Sequence, residues 1–439
     1  MRRLLLAMLT VVVLAVTAWE AGLISPDSAS AQQPPDEQSF TGTISFEDKP
    51  AAGIVIVVAT PEGKEVGRAT TTPEGTWTVK VPQPGQYRVS VDLKSLPTGA
   101  GLESADQEKR VLTVSPLQSK PVPISLVRGG ATASGSSAAT ASGGDSNVRR
   151  ALQLFVEGIK FGLIIAMCAI GLSLIFGTTG LTNFAHGELV TLGALIAWMF
   201  NVRFGLNLIV AGALSVGICF VVGLALEAGF FGPLRRRGFS LISLMVITIG
   251  LSILVRYIYL YIFGGRTRAY SDYAVQQGWK IGPITITPAA LVSVTLSTIV
   301  LAGVGLLLQR TKIGKAMRAV ADNRDLAASS GIDVQRVILL VWGFGAGLAG
   351  LGGVLLGLAE QAGWEMGTKL LLLMFAGVTL GGLGTAYGAL LGSLLVGIFL
   401  QMSTMVIPPE LKTVGALALL ILALIFRPQG LLGQRERIG

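Results

Sequence analysis

The sequence predicts an all-helical membrane domain that crosses the bilayer several times, preceded by a small exported antiparallel β-sandwich. Three observations lead to this prediction. Hydrophobic residues make up 51% of the 439 residues and charged residues only 13%, whereas about 25% of the residues in ordinary globular proteins are charged. After residue 150 the apolar residues form long blocks, as membrane-spanning helices require. Before residue 130, short apolar runs alternate with turn residues, which is typical of strands.

The N-terminal 31 residues have the pattern of a secretory signal. Arg2 and Arg3 precede an apolar stretch, and residues 29–31 read Ala-Ser-Ala, a small-x-small cleavage pattern. The apolar stretch is shorter than the roughly 20 residues that span a bilayer comfortably, which favours a cleaved signal; an uncleaved signal anchor is the alternative. In both cases the two arginines stay inside and the residues that follow are exported.

Residues 38–128 are predicted to form the β-sandwich, because short apolar runs are separated there by Pro-Glu-Gly and Pro-Gly turns. Between Thr70 and Val91, Thr-Pro-Glu-Gly precedes a Trp strand and Gly-Gln-Tyr precedes the next strand. This pattern resembles the carboxypeptidase regulatory-like, transthyretin-like domain. Residues 32–150 contain no His and no Cys, so we predict a binding or spacer role, with a purely structural role as the alternative. Residues 129–150, rich in Gly, Ser and Ala, are predicted to form a flexible linker.

Residues 151–433 are predicted to form the membrane domain. The whole chain of 439 residues contains 57 glycines, and such an excess favours close packing of membrane helices. We predict about nine spans, within a range of about 8–10. They are placed at residues 154–176, 188–202, 206–230, 241–263, 288–308, 337–358, 369–383, 387–406 and 411–427.

The distribution of Lys and Arg predicts how these spans are oriented. The links that follow spans three, five and nine carry twelve of these residues, against eight on the other side. The positive-inside tendency therefore places the three basic links in the cytoplasm and the β-domain outside. Arg149 and Arg150 oppose the tendency locally and would suit a cytoplasmic β-domain. The net charge of +9 is distributed over such links, so membrane lipid rather than nucleic acid is the predicted partner.

Two glycine-rich stretches, 171–187 and 377–388, adjoin the two short predicted spans 188–202 and 369–383. Paired broken helices in the two halves of a transporter indicate a translocation path, because backbone freed by a break needs a cavity or neighbours. Tight helix packing is the alternative explanation. The candidate path residues are Thr178, Thr179, Asn183, His186, Glu188, Gly381, Gly382 and Gly384.

Three roles are open for the polar residues between positions 178 and 188. Polar groups are costly at membrane depth, which favours a purpose for them. They could line a path for a zwitterion, satisfy the backbone of a broken helix, or cap the next helix from a cytoplasmic loop. Asn183 and His186 precede a predicted helix start, and Glu188 lies in its first turn, where the helix dipole favours negative charge. The structural roles are therefore slightly favoured over solute contact.

The segment from Gly171 to Glu188, which contains Asn-Phe-Ala-His-Gly-Glu, resembles the corresponding region of branched-chain amino acid ABC transporter permeases. The likeness covers residues 151–433 and continues in four further segments: Gly232-Pro-Leu-Arg235, residues 314–331, Gly381-Gly-Leu-Gly384 and Arg427-Pro-Gln-Gly430. The resemblance implies an ATP-driven importer of the bacterial inner membrane. The implied partners are a second permease subunit of the family, two ABC ATPase subunits and an extracytoplasmic substrate-binding protein. An exported β-domain departs from the usual family member, so its role is not implied.

The link from Thr311 to Arg336 is predicted to form short helical pieces, closed by Gly331 as a C-terminal cap and followed by Asp333 as the N-cap of the next span. The resemblance implies that this link docks in a cleft of the ATPase as a coupling helix. A solvated basic loop is the alternative. The candidate coupling residues are Gly314, Arg318, Ala319, Asp322, Asn323, Leu326, Ala327 and Gly331.

The sequence contains no phosphate-binding loop of the Gly-x-x-x-x-Gly-Lys-Ser/Thr type. We therefore predict a transport subunit rather than an enzyme, with no cofactor bound by this chain and ATP used by its partners. Cys168 and Cys219 lie in apolar runs without metal-ligand spacing, so no metal site is predicted. Urea or short amides are the alternative substrates. An ion-coupled carrier is the less favoured alternative, since deep ionisable groups are few: Arg256, and Glu227 near a helix end.

Overall fold

A computed structural model describes residues 38–128 with short gaps, 143–271, 279–406 apart from 282–283, and separate residues between 414 and 432. The predicted signal and most of the predicted linker lie outside the described residues. Contacts divide the chain into two units, one that holds the strands before residue 129 and one that holds the helices from Gly143 onward. Each unit is described by itself.

The first unit contains two sheets. In the first, β1 (Ser39–Phe46) pairs antiparallel with β2 (Lys49–Pro50) and β5 (Thr76–Lys80), and parallel with β9 (Ser119–Pro121) and β10 (Ile124–Arg128); β10 pairs antiparallel with β7 (Ala100–Leu102). The second sheet is antiparallel, in the order β4 (Glu65–Thr70), β3 (Val55–Ala59), β6 (Gly85–Val91) and β8 (Lys109–Val114). A short 3₁₀ helix spans Leu93–Ser95.

Alternating burial along the strands produces the core of this unit. In β3, for example, Ile56 and Val58 are buried while their neighbours are partly exposed, as expected when successive side chains point to opposite faces of a sheet. Buried side chains from both sheets form one cluster, which includes Phe40, Ile44, Ile54, Trp77, Val79, Tyr87 and Val89. The predicted small antiparallel sheets are confirmed. The parallel pairings of β1 could not be predicted, because alternation specifies the buried face of a strand and not its direction.

The second unit is helical. Its helices are α1 (Gly143–Thr179), α2 (His186–Trp198), α3 (Leu208–Leu226), α4 (Gly232–Arg236), α5 (Leu241–Phe263), α6 (Pro288–Arg310), α7 (Lys312–Asp322), α8 (Arg324–Ser329), α9 (Val334–Glu360), α10 (Met366–Gly381) and α11 (Ala386–Met402). Two π-helical turns, Met199–Arg203 and Glu227–Phe231, extend α2 and α3, and a 3₁₀ turn, Ser403–Met405, follows α11. A short hairpin of β11 (Trp279–Ile281) and β12 (Ile284–Ile286) precedes α6.

The helices confirm the predicted multi-pass membrane domain. Among the described residues, six helical segments are long and apolar enough to cross a bilayer: α1, α3 with α4, α5, α6, α9, and α11 with its 3₁₀ turn. Helices α2 and α10 correspond to the two short predicted spans. The described residues of the predicted span 411–427 are helical where they fall between 414 and 425.

Helix α1 begins at Gly143, inside the segment 129–150 that composition assigns to a linker. The predicted linker is therefore too long at its C-terminal end. Composition missed this start because residues 143–147 are glycines and small polar residues, whereas the helix that contains them continues the turns of the apolar span behind them.

Glycines bring the central helices into backbone contact. Gly193 of α2 lies so close to Gly350 of α9 that a Cβ on Gly193 would overlap the Gly350 carbonyl oxygen, and Gly187 has the same relation to Gly367 of α10. Helix α1 meets α9 in this way at Gly171, where a Cβ would lie 2.6 Å from the Gly345 carbonyl oxygen. Small residues at such crossings are the means by which membrane helices pack closely.

Candidate functional site

The two predicted glycine-broken stretches meet in the structure. Helix α1 ends at Thr179 and α10 ends at Gly381, followed by Gly382 with φ of 116°. Gly177 lies against Gly384, since a Cβ on Gly177 would lie 3.0 Å from the Gly384 carbonyl oxygen. The Ser173 hydroxyl donates to the backbone oxygen of Thr385 (3.1 Å). The two breaks therefore lie side by side, although residues 171–187 and 377–388 are far apart in sequence.

Three of the predicted path residues bond to the backbone beside them. The Thr178 hydroxyl donates to Leu174 O (2.9 Å), and the Thr179 hydroxyl donates to Ile175 O (2.5 Å). Asn183 Oδ1 accepts from Ala185 N (3.0 Å). All three side chains are buried. These contacts satisfy the backbone around the end of α1, which is the structural role that the sequence slightly favours.

The three predicted path glycines each meet a structural requirement, which is close packing at Gly381 and backbone conformation at Gly382 and Gly384. Gly381 lies against Gly388, where a Cβ would overlap the Gly388 carbonyl oxygen, and Gly382 and Gly384 both have positive φ, which favours glycine. A backbone pair follows, in which Leu431 N donates to Leu380 O (2.8 Å) and Leu432 N donates to Gly381 O (2.9 Å). The break after α10 is thus held by neighbouring backbone.

His186 is the first residue of α2 and is completely buried. Its Nε2 lies 3.1 Å from the Cys168 carbonyl oxygen, which assigns the Nε2 proton to this hydrogen bond. Its Nδ1 is buried without a hydrogen-bond partner in the described part of the chain. His186 therefore ties the start of α2 to the middle of α1.

Glu188 joins three helices through one carboxylate. Its Oε1 accepts hydrogen bonds from the Ser252 hydroxyl of α5 (2.9 Å) and from the Thr368 hydroxyl of α10 (2.8 Å). The Tyr259 hydroxyl of α5 donates to the Glu188 backbone oxygen (3.1 Å). The residue is 3% exposed, and Oε2 has no hydrogen-bond partner among the described residues. A buried polar atom without a partner costs about 1–3 kcal/mol, so Oε2 is an atom that a ligand could satisfy.

Arg256 lies on the side of α5 that carries Ser252 and Tyr259, the two residues that bond to Glu188. The residue interacts electrostatically with the Glu188 carboxylate, and its Nε is buried without a hydrogen-bond partner in the described structure. Sequence reasoning found Arg256 and Glu188 separately but did not bring them together. It missed Ser252, Thr368 and Tyr259 altogether, because single hydroxyls in apolar spans carry no local signal.

The link from Thr311 to Arg336 has the predicted capped helices. Thr311 accepts from Gly314 N (3.0 Å) at the start of α7, and Asn323 accepts from Leu326 N (2.9 Å) at the start of α8. Gly331, with φ of 82°, follows α8, and Asp333 accepts from Arg336 N (3.0 Å) as the N-cap of α9. Both predicted caps around residues 331–333 are therefore confirmed.

The predicted coupling residues divide by exposure. Arg318, Asp322, Asn323, Leu326 and Gly331 are exposed, and Ala319 is partly exposed. Gly314 and Ala327 are buried, and a Cβ on Gly314 would overlap the backbone of Leu307 and Leu308 at the end of α6. These two residues hold the link against the permease and cannot contact an ATPase, because the permease body already covers them. Gly314 and Ala327 can therefore contribute to coupling only by holding the link in place, and their role in coupling stays a prediction.

A buried ion pair lies near this link, at the end of the span that contains α3 and α4. The Arg235 side chain donates to Glu227 Oε1, and the two side chains are 14% and 3% exposed. Arg324, the first residue of α8, is attracted by Glu227 and repelled by Arg235. Burial and, next, the neighbouring Arg235 lower the pKa of Arg324 below its ordinary value. Sequence reasoning placed Glu227 near a helix end but did not predict its partner.

Comparison with known proteins decides the family. The model of the family described as the permease component of branched-chain amino acid transport systems matches residues 154–424. The chain belongs to this family. It is 30% identical, over 65% of its length and 96% of the relative's, to the high-affinity branched-chain amino acid transport system permease protein LivH of Escherichia coli K12. The protein BraD of Pseudomonas aeruginosa is 31% identical over 65% of this chain and 96% of its own.

The permease protein LivM of Escherichia coli K12 is a more distant relative, 26% identical over 62% of this chain and 68% of its own. All three relatives are named as permease proteins of transport systems. The family match begins at residue 154, so the strands of residues 38–128 lie outside it. Membership makes this chain a multi-pass transport permease, and it assigns the helices rather than the sheets to the transport task.

Proposed function

We propose that this chain is a permease subunit of an ATP-driven importer that carries branched-chain amino acids across the bacterial cytoplasmic membrane. The observation that supports this most is the family match over residues 154–424, together with relatives whose names specify branched-chain amino acid transport. ATP hydrolysis takes place on separate ATPase subunits. The further partners are a second permease of the family and an extracytoplasmic substrate-binding protein.

The capped helices α7 and α8 are the proposed contact with the ATPase. Their caps make the link rigid, and Gly314 packs it against the end of α6, so a push on this link reaches the spans. Leu326 presents an apolar side chain that is 65% exposed on α8. An exposed apolar residue among charges is suited to a cleft in a partner protein.

The proposed orientation places α7 and α8 in the cytoplasm and the β-sandwich outside, following the basic links around residues 235–237 and 310–336. Residues 1–31 act as the signal that exports the sandwich, and the described sheets at residues 38–128 form a separate extracytoplasmic domain. The chain from residue 143 onward is the permease domain.

An uptake assay tests the proposed function. The chain is reconstituted in vesicles with its permease partner, ATPases and binding protein, and uptake of labelled leucine and of labelled urea is measured. We expect ATP-dependent uptake of leucine. Uptake of urea alone would assign the chain to the short-amide class, and leucine uptake that needs no ATPase and stops with an uncoupler would make it an ion-coupled carrier.

A variant of Leu326 tests the coupling role. Leu326→Asp places a charge in the proposed cleft, so we expect ATP hydrolysis to continue while leucine uptake falls at least tenfold. Val406→Asp, which places the same charge at a position 90% exposed just after the 3₁₀ turn that follows α11, is the control. Normal coupling in the Leu326 variant would remove α8 from the contact.

A further inference from the structure

Two opposite charges in the membrane domain, Glu188 and Arg256, interact without an ion pair among the described residues. Glu188 Oε1 is occupied by two hydroxyls, while Oε2 is buried and has no hydrogen-bond partner in the described residues. Arg256 Nε is buried and equally lacks a partner there. The two side chains interact electrostatically, yet they form no ion pair in the described part of the chain.

The helix contacts place Arg256 beside Glu188. Ser252 and Tyr259, which precede and follow Arg256 by four and three residues on α5, both bond to Glu188. Residues at these spacings share one face of a helix, so Arg256 lies between two contact points to the same residue. It also lies in the interior of the 23-residue span of α5, where a charged side chain is costly and indicates a function.

We propose that Glu188 and Arg256 form a binding site for an amino acid zwitterion in the translocation path. The substrate ammonium donates to Glu188 Oε2, and the substrate carboxylate accepts from the Arg256 guanidinium. This inference rests on the proposed function and identifies the side chains that recognise the substrate class.

The unused atoms favour a zwitterion over other small solutes. A solute with both charges satisfies the free carboxylate oxygen and the free guanidinium nitrogen at once. Urea carries neither charge and leaves both charged groups uncompensated. The site binds the ammonium and the carboxylate, which all α-amino acids share. It therefore selects the class of substrate, and other residues select a branched side chain.

The test uses the complete transporter in vesicles, with ATP-driven uptake of labelled leucine at saturating binding protein. The variants are Glu188→Gln, Arg256→Gln and the double variant. Glutamine retains an oxygen that accepts from Ser252 and Thr368, so the thermal unfolding midpoint checks that packing is kept. We expect each single variant to lower uptake at least tenfold, and the double variant to be at least as slow as the slower single variant. Arg310→Gln, an exposed guanidinium at the end of α6, should behave as wild type.

Other results would overturn the site. If Glu188 and Arg256 only neutralise each other, the double variant regains near wild-type uptake. Unchanged leucine uptake in Arg256→Gln would overturn the site while leaving the proposed function intact. If the unmutated transporter carries urea and not leucine, both the site and the proposed function are overturned. Arg256→Lys serves if the neutral variants fail to fold: it keeps the charge but loses the two-pronged geometry for carboxylate, so we expect uptake to fall several-fold, and an unchanged rate would contradict the site.

Discussion

Glu227 shows how one side chain can hold the end of a span to the residues around it. It is 3% exposed, it accepts from Arg235, and its carboxylate attracts Arg324 at the start of α8. Removing one partner of a buried pair leaves a charge without compensation, which costs about 3–5 kcal/mol. The pair therefore matters more for stability than the exposed pairs on the same surface.

We predict that Arg235→Gln lowers the free energy of unfolding by about 3–5 kcal/mol, measured by thermal unfolding in detergent. The matched control is Arg336→Gln, which removes a guanidinium from the exposed pair with Asp333. Exposed pairs contribute about 0–1 kcal/mol, so the control should change little. Equal losses of unfolding free energy in the two variants would show that burial does not make the Glu227 pair more stabilising than an exposed pair.

Individual residues also show how far the sequence could be followed. Asn323, Gly331 and Asp333 act within a few residues of their own positions, so local patterns specify them, and the two predicted caps were confirmed. Glu188 bonds to Ser252 and Thr368, which are 64 and 180 residues away. Such partners depend on how whole helices cross, and the position of a crossing cannot be predicted from the local sequence of an apolar span.

At the scale of elements, the glycines of α2 and α9 determine how closely the helices approach. A Cβ on Gly193 would lie against the backbone of Gly350 with no side chain in between. Overpacking of this kind costs about 1–3 kcal/mol, although alanine by itself favours a helix over glycine by about 0.5–1 kcal/mol. At Gly193 the steric cost outweighs the gain in helix propensity.

We therefore predict opposite effects at two helical glycines. Gly193→Ala should lower the unfolding midpoint in detergent, whereas Gly250→Ala on α5, where a Cβ meets nothing within 4 Å, should leave it unchanged or raise it. A stable Gly193→Ala variant would mean that the helices can part without cost.

The elements were predicted with unequal success for a physical reason. Long apolar spans such as 241–263 can be identified from the run of apolar residues in the sequence, and α5 has those bounds. The start of α1 at Gly143 was missed because small polar residues carry no hydropathy signal even where the backbone is helical. Strand direction in the β-unit was likewise outside what alternation can specify.

At the scale of the whole molecule, the β-sandwich has its own core and lies outside the family match. We predict that deletion of residues 38–128, with the signal retained, leaves ATP-driven leucine uptake measurable in the reconstituted transporter. The uptake rate at saturating binding protein should stay within a few-fold of wild type. Complete loss of uptake, with the shortened chain folded and inserted, would make the sandwich part of the import route.

The glycine contacts of α1, α2, α9 and α10 also restrict which parts of the permease can shift during a transport cycle. Side chains accommodate sliding because their rotamers adjust, but two backbones in direct apposition have no such freedom. These four helices should therefore travel as a single rigid block. Relative movement is expected instead at boundaries that side chains form, such as that of α5, which meets α2 through hydroxyls such as Ser252 and Tyr259 that can release and re-form their bonds.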